Sequence, residues 1–492
     1  MKPYRLIYQM DSGGVLPVST NVVDYLNGIV GFLEGSHIDC LFWHDGAGGN
    51  TANYDSDVLE FTGERIGEVY PSLLRLIEAG NDPPKVVVPA AKKCGVDIFY
   101  SFRLNDCHDS FSHARLLATF KVDHPEWTIG AGHPEVHPSV HRNLNFAVDE
   151  VRDLKFAVIE EIFRKYDFDG LEIDFLRSPP YFIPGQESEN AHLLTQFLDR
   201  VRRYLNQRGK TRGRPITLAV RVDGTLEACQ LDGFDVSTWV EERLMDIVIL
   251  GSGNLDHEVE AFKKLTDGTG IGVYPCVYGW PSGYNVNLGF AHSEEMFRAL
   301  ASNYWHQGAD GIYTFNWNAH SYVHRPEEHS QFAHQMQLLR EMDEPAAMQG
   351  KEKFYAVDRL LRPKPMLPHN WLHAVLPATL EHGKQVDVSV MVGEDFTKSP
   401  APRTISLSVT YSDLAEASQV DITLNKHPLS GFERTGAWVP HDDTDGNSER
   451  APIVALRQEI SPEQLIPDRN HIGISVVVGQ ITVKAVEIYV RY

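Results

Sequence analysis

The stretch Tyr166-Asp-Phe-Asp-Gly-Leu-Glu-Ile-Asp-Phe-Leu-Arg-Ser-Pro-Pro180 decides the fold of this chain. It follows an amphipathic run and is typical of a short buried strand, which the two prolines then end. Side chains alternate between the two faces of a strand, so Glu172 and Asp174 are expected on one face and the apolar residues on the other. Two acids on the inner face of a buried strand are costly unless they are paired or used. They are therefore candidate functional groups.

Seven similar strands flank this one, and helical patterns lie between them. Eight strands, each followed by a helix, predict an α/β fold of the (β/α)₈ TIM barrel type over residues 1–345. The long loop 104–148 is rich in His, Pro and Asp and is expected to serve or cover a site. The predicted strands are 4–10, 38–44, 96–103, 169–176, 215–222, 245–250, 271–279 and 310–317, and the main predicted helices are 150–166, 188–208, 256–267, 293–307 and 328–343.

After residue 345 the helical periodicity disappears and short alternating stretches follow. They predict an all-β sandwich over residues 346–492, acting as an accessory domain behind a catalytic barrel. The acidic turn His441–Gly446 is interpreted as a solvated loop, with a calcium site as the less favoured alternative. The predicted strands are 386–392, 405–410, 420–424, 472–478 and 481–490.

Composition excludes several classes of protein. The formal net charge of −22 argues against nucleic acid, which needs a basic surface. No apolar run is long enough for a membrane helix, so no membrane partner is expected. The five cysteines include no CxxC pair and indicate reduced thiols. With no apolar signal core after Met1, a cytoplasmic location is expected, and a secreted or periplasmic one remains open if a signal peptide was removed.

Function in such a barrel lies at the C-terminal ends of the strands, where this chain places several acids. Glycosidic bond cleavage needs a proton donor and a second carboxylate. Asp174, nearer the end of its strand than Glu172, is the first candidate. Glu172 is expected to support it, paired with Arg221 or Arg103. The competing candidates for the second acid are Asp106, which is weakly favoured, Asp223 and Asp45.

Aromatic and basic residues at the strand ends suggest substrate contacts. Indole and phenol rings can stack on a sugar ring or fill the core, and Trp43, Tyr278, Trp280 and Trp317 together favour the sugar. Arg103, Arg177 and Arg221 suit a carboxylate or sulfate, although an internal ion-pair network would explain them equally well. The candidate substrate-binding residues are His44, Asp45, Arg103, His108, Arg177, Arg221, Trp280, Asn316 and Trp317.

Neither a cofactor nor a metal is predicted. Gly13-Gly14 and Gly46–Gly49 match neither a P-loop nor a dinucleotide fingerprint. His133, His137 and His141 have a spacing that suits metal binding on a helix, but Pro134 and Pro138 favour a loop, where that spacing has no special meaning.

The segments around Asp149–Arg152, Glu160–Ile162 and Tyr166–Arg177, with Ser101–His108 and Ala309–Trp317, resemble the family 10-like glycosyl hydrolases of bacteria. The resemblance covers about residues 1–345 and implies a barrel that processes carbohydrate, with no defined substrate. Two departures count against specific mechanisms. A chitinase-type motif would place its glutamate where Leu176 stands, and the seventh strand carries no acid over Tyr274–Trp280.

The residues together predict a glycoside hydrolase acting on an oligo- or polysaccharide that includes anionic sugars such as uronates. Two alternatives remain open. One is a polysaccharide lyase, in which arginines neutralise a uronate and His108 or a tyrosine removes the proton. The other is a glycan-binding protein with a degenerate barrel. Oligomeric state, linkage and stereochemical outcome are not determined by the sequence.

Overall fold

A computed structural model describes residues 3–110, 114–279, 293–317, 329–360, 364–398, 400–412, 414–436 and 453–492. Eight parallel strands close into a barrel in the order β1 to β8, each paired with its neighbours in sequence and β1 with β8. The predicted barrel and the all-β region after it are both confirmed. The strands are β1 Leu6–Asp11, β2 Cys40–His44, β3 Asp97–Arg103, β4 Gly170–Asp174, β5 Thr217–Val222, β6 Ile247–Leu250, β7 Gly272–Tyr278 and β8 Ile312–Phe315.

Helices surround the barrel. The longest are α5 and α6, and α5 places acids in its first turn and Arg164 and Lys165 in its last, as the helix dipole favours. The helices are α1 Val22–Val30, α2 Pro71–Glu78, α3 Pro83–Lys93, α4 Thr119–Asp123, α5 Asp149–Lys165, α6 Glu187–Arg212, α7 Leu226–Leu231, α8 Val236–Glu241, α9 Val259–Thr266, α10 Ser293–His306 and α11 His329–Met342.

The predicted alternation along β4 is confirmed. Leu171, Ile173 and Phe175 lie in the core between barrel and helices, whereas Glu172 and Asp174 form their contacts on the inner face. The first residue of the strand, Gly170, is a glycine because a Cβ there would lie 2.5 Å from the ring of Phe99, which fills the barrel interior. The strand therefore presents two acids above a layer of packed rings.

Two antiparallel sheets form the C-terminal region. One has the order β10-β18-β12-β16-β15, with β9 paired to β18, and the other has the order β11-β17-β13-β14. All five predicted strands of this region are present. The strands are β9 Lys353–Ala356, β10 Ala378–Glu381, β11 Gln385–Met391, β12 Thr404–Ser412, β13 Gln419–Leu424, β14 His427–Leu429, β15 Glu433–Gly436, β16 Ile453–Ile460, β17 Arg469–Val478 and β18 Gln480–Arg491.

The antiparallel sheets contact α10 directly. The Asn303 amide donates to the Met391 carbonyl oxygen at 3.0 Å and accepts from the Gly393 N–H at 2.7 Å. The domain boundary at 345/346 stays a prediction. His441–Gly446, considered above as a calcium turn, lies outside the described residues. Within the ranges that the structure describes, no helix is long and apolar enough to cross a membrane.

Candidate active site

Arg103, at the end of β3, links the end of β1 to the loop that follows β3. Its Nη2 donates to Asp11 Oδ2 of β1 at 2.7 Å, and its Nη1 lies 3.7 Å from Asp106 Oδ2. The guanidinium is nearly buried and is surrounded by acids, which raise its pKa despite its burial. Arg103, predicted to bind substrate, is thus the internal link of this ion network.

Asp11 is a partly exposed carboxylate at this end of the barrel. One third of its side chain is exposed, and the Gly13 N–H donates to Oδ1 at 3.1 Å. Although its surroundings desolvate the group, the charge of Arg103 holds the pKa of Asp11 well below its usual range. Asp11 is therefore an ionised carboxylate that a ligand can reach.

Asp106, His108 and Arg177 form a hydrogen-bonded chain. Asp106 Oδ1 lies 2.7 Å from His108 Nδ1, and Arg177 Nη2 lies 2.8 Å from His108 Nε2. Since a guanidinium only donates, Nε2 accepts from Arg177 and the proton of the neutral imidazole sits on Nδ1. Burial opposes ionisation of Asp106, but the hydrogen bond from His108 and the charges of Arg103 and Arg177 lower the pKa of Asp106. About a fifth of the His108 side chain is exposed.

Asp174 and Arg221 form a bidentate ion pair. Nε and Nη2 of Arg221 each donate to one oxygen of Asp174 at 2.8 Å, and both side chains are almost fully buried. The Arg221 guanidinium also lies 3.8 Å from the centre of the Phe315 ring. Asp174, the first predicted catalytic acid, has both oxygens committed to this pair. Arg221, predicted to bind substrate, is paired with Asp174 and is therefore not free to bind an anionic sugar.

Glu172 lies below this pair and is fully buried. Its predicted pairing with Arg221 or Arg103 is wrong, since Tyr313 of β8 donates to Glu172 Oε1 at 2.7 Å and Arg221 pairs with Asp174. Burial and the negative charge of Asp174 raise the pKa of Glu172 to about 7. Glu172 is thus a protonated core acid below that pH.

His44 and Asp45 shape the loop after β2. His44 Nδ1 donates to the Ser101 carbonyl at 3.1 Å, and Asp45 accepts from the N–H groups of Ala47 and Asn53 at 3.0 and 3.1 Å. Both side chains are almost fully buried and hold the loop in place, whereas they were predicted to bind substrate and Asp45 was also a candidate second acid.

Asp223 does not join the other candidate acids. It lies buried beside Asp232, and burial together with that second carboxyl raises the pKa of Asp223 well above its usual range. Asp232 in turn contacts His369 Nδ1 at 2.6 Å. The predicted use of Asp223 as the partner of Asp174 thus disagrees with the contacts that the structure gives it.

The predicted aromatic stacking surfaces are only partly present. Trp43 and Trp317 are fully buried, Trp43 against Phe168 and Trp317 against Phe297, so both fill the core. Trp280 lies outside the described residues.

Tyr278 and Asn316 are better placed than the tryptophans. Tyr278 is partly exposed and stacks on Phe315 at 5.6 Å, and Asn316 Nδ2 donates to its hydroxyl at 3.1 Å. Asn316 adopts φ 50°, a left-handed backbone that asparagine tolerates better than most residues. Of the predicted polar and aromatic contacts on β7 and β8, Tyr278 and Asn316 are the partly exposed ones among the described residues.

The sequence analysis did not select Asp11. The feature of the sequence that could have pointed to Asp11 is the set of glycines in the loops after β1 and β2. Gly46 has φ 82°, and a Cβ there would lie 2.3 Å from the Cα of Gly13. The loops after β1 and β2 therefore need glycine at position 46 to approach each other, next to the loop that follows Asp11.

Lys155 of α5 was also missed. It is buried and donates to the Gly49 carbonyl at 2.6 Å and to Asn50 Oδ1 at 2.8 Å. It thereby supports the loop after β2 from outside the barrel.

The three histidines considered as metal ligands have separate local partners: Glu135 for His133, Ser139 for His137 and the Val136 carbonyl for His141. Across the described ranges, no group of three or more His, Cys, Asp or Glu side chains is arranged to hold a metal ion.

No protein-family model and no curated protein sequence matches the chain. Among solved structures, α-L-fucosidase isoenzyme 2 from Paenibacillus thiaminolyticus is 11% identical with a TM-score of 0.46, over 72% of this chain and 51% of that chain. The GH36 α-galactosidase AgaB from Geobacillus stearothermophilus is 12% identical with a TM-score of 0.40, over 97% and 55%. This chain thus spans about half the length of each of these two proteins.

The PgaB (BpsB) glycoside hydrolase domain from Bordetella bronchiseptica is 9% identical with a TM-score of 0.38, over 67% of this chain and 98% of that domain. At TM-scores below 0.5 these similarities carry no argument about activity. The fold itself is established by the strand order of this chain.

Proposed function

We propose that this chain is a glycoside hydrolase whose substrate binds at the C-terminal end of the barrel, against Asp11, His108 and Arg177. One observation carries the proposal: these partly exposed side chains lie at the end of β1 and in the loops after β3 and β4, and Arg103 and Asp106 join them into one network. A network of this kind holds reactive groups in fixed positions. Active sites of (β/α)₈ enzymes form at this end of the barrel.

The proposed carboxylate is Asp11. Because Arg103 keeps it ionised, it suits attack on the anomeric carbon or activation of a water rather than proton donation. Asp174 is proposed as a positioning residue, since both of its oxygens hold Arg221 beneath the site.

The proposed proton donor is His108. Nε2 now accepts from Arg177, so it would donate to the leaving oxygen only when Arg177 moves away from it and the imidazole takes up a proton. Asp106 would stabilise the imidazolium through Nδ1.

The test is release of reducing ends from neutral, uronic and sulfated oligosaccharides by the purified chain. Asp11→Asn is expected to lower kcat/KM by about a hundredfold or more. The control is Asp267→Asn, an exposed acid that follows α9 and precedes β7, at the opposite end of the barrel. Full activity of Asp11→Asn would refute the assignment, and binding without turnover by the unmodified chain would favour the glycan-binding alternative.

A second candidate function, a uronate lyase, is favoured by the contact between His108 Nδ1 and the Asp106 carboxylate. An imidazole whose Nδ1 donates to a carboxylate can act as a base through Nε2 once Arg177 moves away from that atom. Lyase products carry a new C=C bond, so their ultraviolet absorbance separates the two reactions. Loss of that absorbance in His108→Ala, with no reducing ends released from neutral glycans, would select the lyase.

A preference for anionic sugars now depends on Arg177. Arg103 and Arg221 are paired with Asp11 and Asp174, whereas Arg177 donates to His108 and its guanidinium lies 5.7 Å from the Phe315 ring. We propose that Arg177 binds the sugar carboxylate or sulfate. Arg177→Gln should then raise KM for an acidic substrate more than for a neutral one.

A further inference from the structure

The loop after β6 takes hydrogen-bond partners for its backbone from the C-terminal region. Asp358, which follows β9, accepts from the Leu255 N–H at 2.8 and 3.0 Å, one distance for each carboxylate oxygen, and from the Asp256 N–H at 3.0 Å. Asn370, between β9 and β10, donates from its amide to the Ser252 carbonyl oxygen at 3.0 Å. Two separate stretches of chain beyond the barrel therefore hold this loop.

An ion pair adds a third connection to the same loop, which we call the β6 loop and define as residues 251–256. Arg469, the first residue of β17, donates from Nη2 to Asp256 Oδ1 at 2.8 Å. Hydrogen bonds from supporting residues fix the position of the groups that they hold. The position of the β6 loop thus depends on contacts with the C-terminal region.

The β6 loop packs against a ring of the candidate active site. Gly253 has φ 87°, and a Cβ at this position would lie 2.9 Å from Cδ1 of the Tyr278 ring. Glycine permits both this close approach and the left-handed backbone. Because the backbone of Gly253 lies against the ring, a shift of the β6 loop would change the position of Tyr278.

Tyr278 lies next to the proposed site through Phe315. The two rings stack with their centroids 5.6 Å apart, and the Arg177 guanidinium lies 5.7 Å from the centre of the Phe315 ring. Tyr278 and Arg177 are both partly exposed. A partly exposed phenol offers a sugar an apolar face and a hydroxyl group.

We propose that Asp358 is a positioning residue of the candidate active site: it holds the β6 loop, and the β6 loop holds Tyr278 where this ring contacts the substrate. The C-terminal region then does more than brace the barrel, because it fixes one side of the barrel end. The contact with substrate rests on the proposed function, whereas the series of contacts from Asp358 to Tyr278 does not.

The first test is deuterium exchange of the backbone N–H groups in the full chain. Asp358→Asn replaces one carboxylate oxygen with an amide nitrogen, which cannot accept, so the Leu255 and Asp256 N–H groups should exchange about tenfold faster. Asn303→Ala is the matched control, because Asn303 of α10 bonds the same C-terminal region and has no bond to the β6 loop among those described above. It should leave both rates unchanged. Unchanged rates in Asp358→Asn would overturn the inference.

The second test places 3-fluorotyrosine at position 278 alone and records its fluorine NMR resonance. Asp358→Asn should shift or broaden this resonance, and so should Gly253→Ala, whose added Cβ meets the ring. Asn303→Ala should leave the resonance as it is. An unaltered resonance in Asp358→Asn overturns the inference, and so does an equal change in Asn303→Ala, which would indicate general loosening between the two regions. If Asp358→Asn does not fold, Asn370→Ala, which removes the bond to the Ser252 carbonyl, takes its place.

Kinetics on a cleaved glycan test the role in substrate binding. Asp358→Asn should raise KM about tenfold and change kcat by no more than about twofold, because Tyr278 binds the sugar and is not one of the reacting groups. An unchanged KM would overturn the positioning role and leave the proposed function standing. If the unmodified chain cleaves no glycan, the proposed function fails, and the exchange rates and the resonance still decide whether Asp358 positions Tyr278.

Discussion

Replacing one partner of the Asp174–Arg221 pair should destabilise the chain strongly, whereas replacing both should not. The two hydrogen bonds of 2.8 Å connect side chains that are 0% and 1% exposed, so water cannot take the place of a lost partner. Breaking such a pair by removing one partner costs about 3–5 kcal/mol, because it leaves an uncompensated buried charge.

The two single variants should differ in a defined order. In Asp174→Asn the amide oxygen still accepts one bond and Phe315 still faces the guanidinium at 3.8 Å, so the loss should lie near the lower limit, at about 3 kcal/mol. Arg221→Met leaves the Asp174 carboxylate with the Leu176 N–H at 3.1 Å, and the loss should approach about 5 kcal/mol.

The double variant Asp174→Leu/Arg221→Met places apolar side chains of similar volume in the same space. It should be within about 2 kcal/mol of the unmodified chain, a smaller loss than either single variant shows. The assay is equilibrium unfolding in guanidinium chloride, followed by circular dichroism, with Asp267→Asn as the control.

Two results would refute this reasoning. One is an Asp174→Asn variant whose unfolding free energy lies within about 1 kcal/mol of the unmodified chain, below the cost of an unpaired buried charge. The other is a double variant as unstable as the sum of the single ones. If Asp174→Asn is folded and stable yet inactive, Asp174 acts on the substrate and the positioning role is wrong.

Three further predictions concern single positions. The pKa of Glu172 is raised from 4.5 to about 7, so the folded state binds the proton more tightly and the free energy of unfolding falls as pH rises from about 4.5 to 7. Glu172→Gln keeps the acceptor for Tyr313 and should lack this loss when unfolding is measured at pH 5 and pH 8. An equal dependence of stability on pH in both proteins would contradict this prediction. Lys155→Met should cost about 2–3 kcal/mol in denaturant unfolding, because the Gly49 carbonyl loses a buried donor; a loss below about 0.5 kcal/mol would show that this contact is unimportant. Gly46→Ala should lower the melting temperature and, by displacing the loop after β1, reduce kcat/KM, and unchanged values of both would contradict the close approach of the two loops.

The sequence determined the features that depend on local periodicity. Alternation along 169–176 placed Glu172 and Asp174 on one face because successive side chains of any strand point to opposite sides. The order of eight strands and helices determined the barrel, since parallel neighbours joined by helices close in few ways. The five strands predicted after residue 345 follow from the same alternation.

Only the tertiary structure decided which side chains meet. Closure of the barrel pairs Asp174 with the neighbouring Arg221 and sends Glu172 to Tyr313 on β8, a choice that depends on strand register and tilt rather than on spacing in the chain. The burial of Trp317 follows from helix α10 packing outside the barrel. The exposure of Asp11 arises because two loops with glycines at their contact lie across neighbouring strand ends, and no local pattern encodes the distance between them.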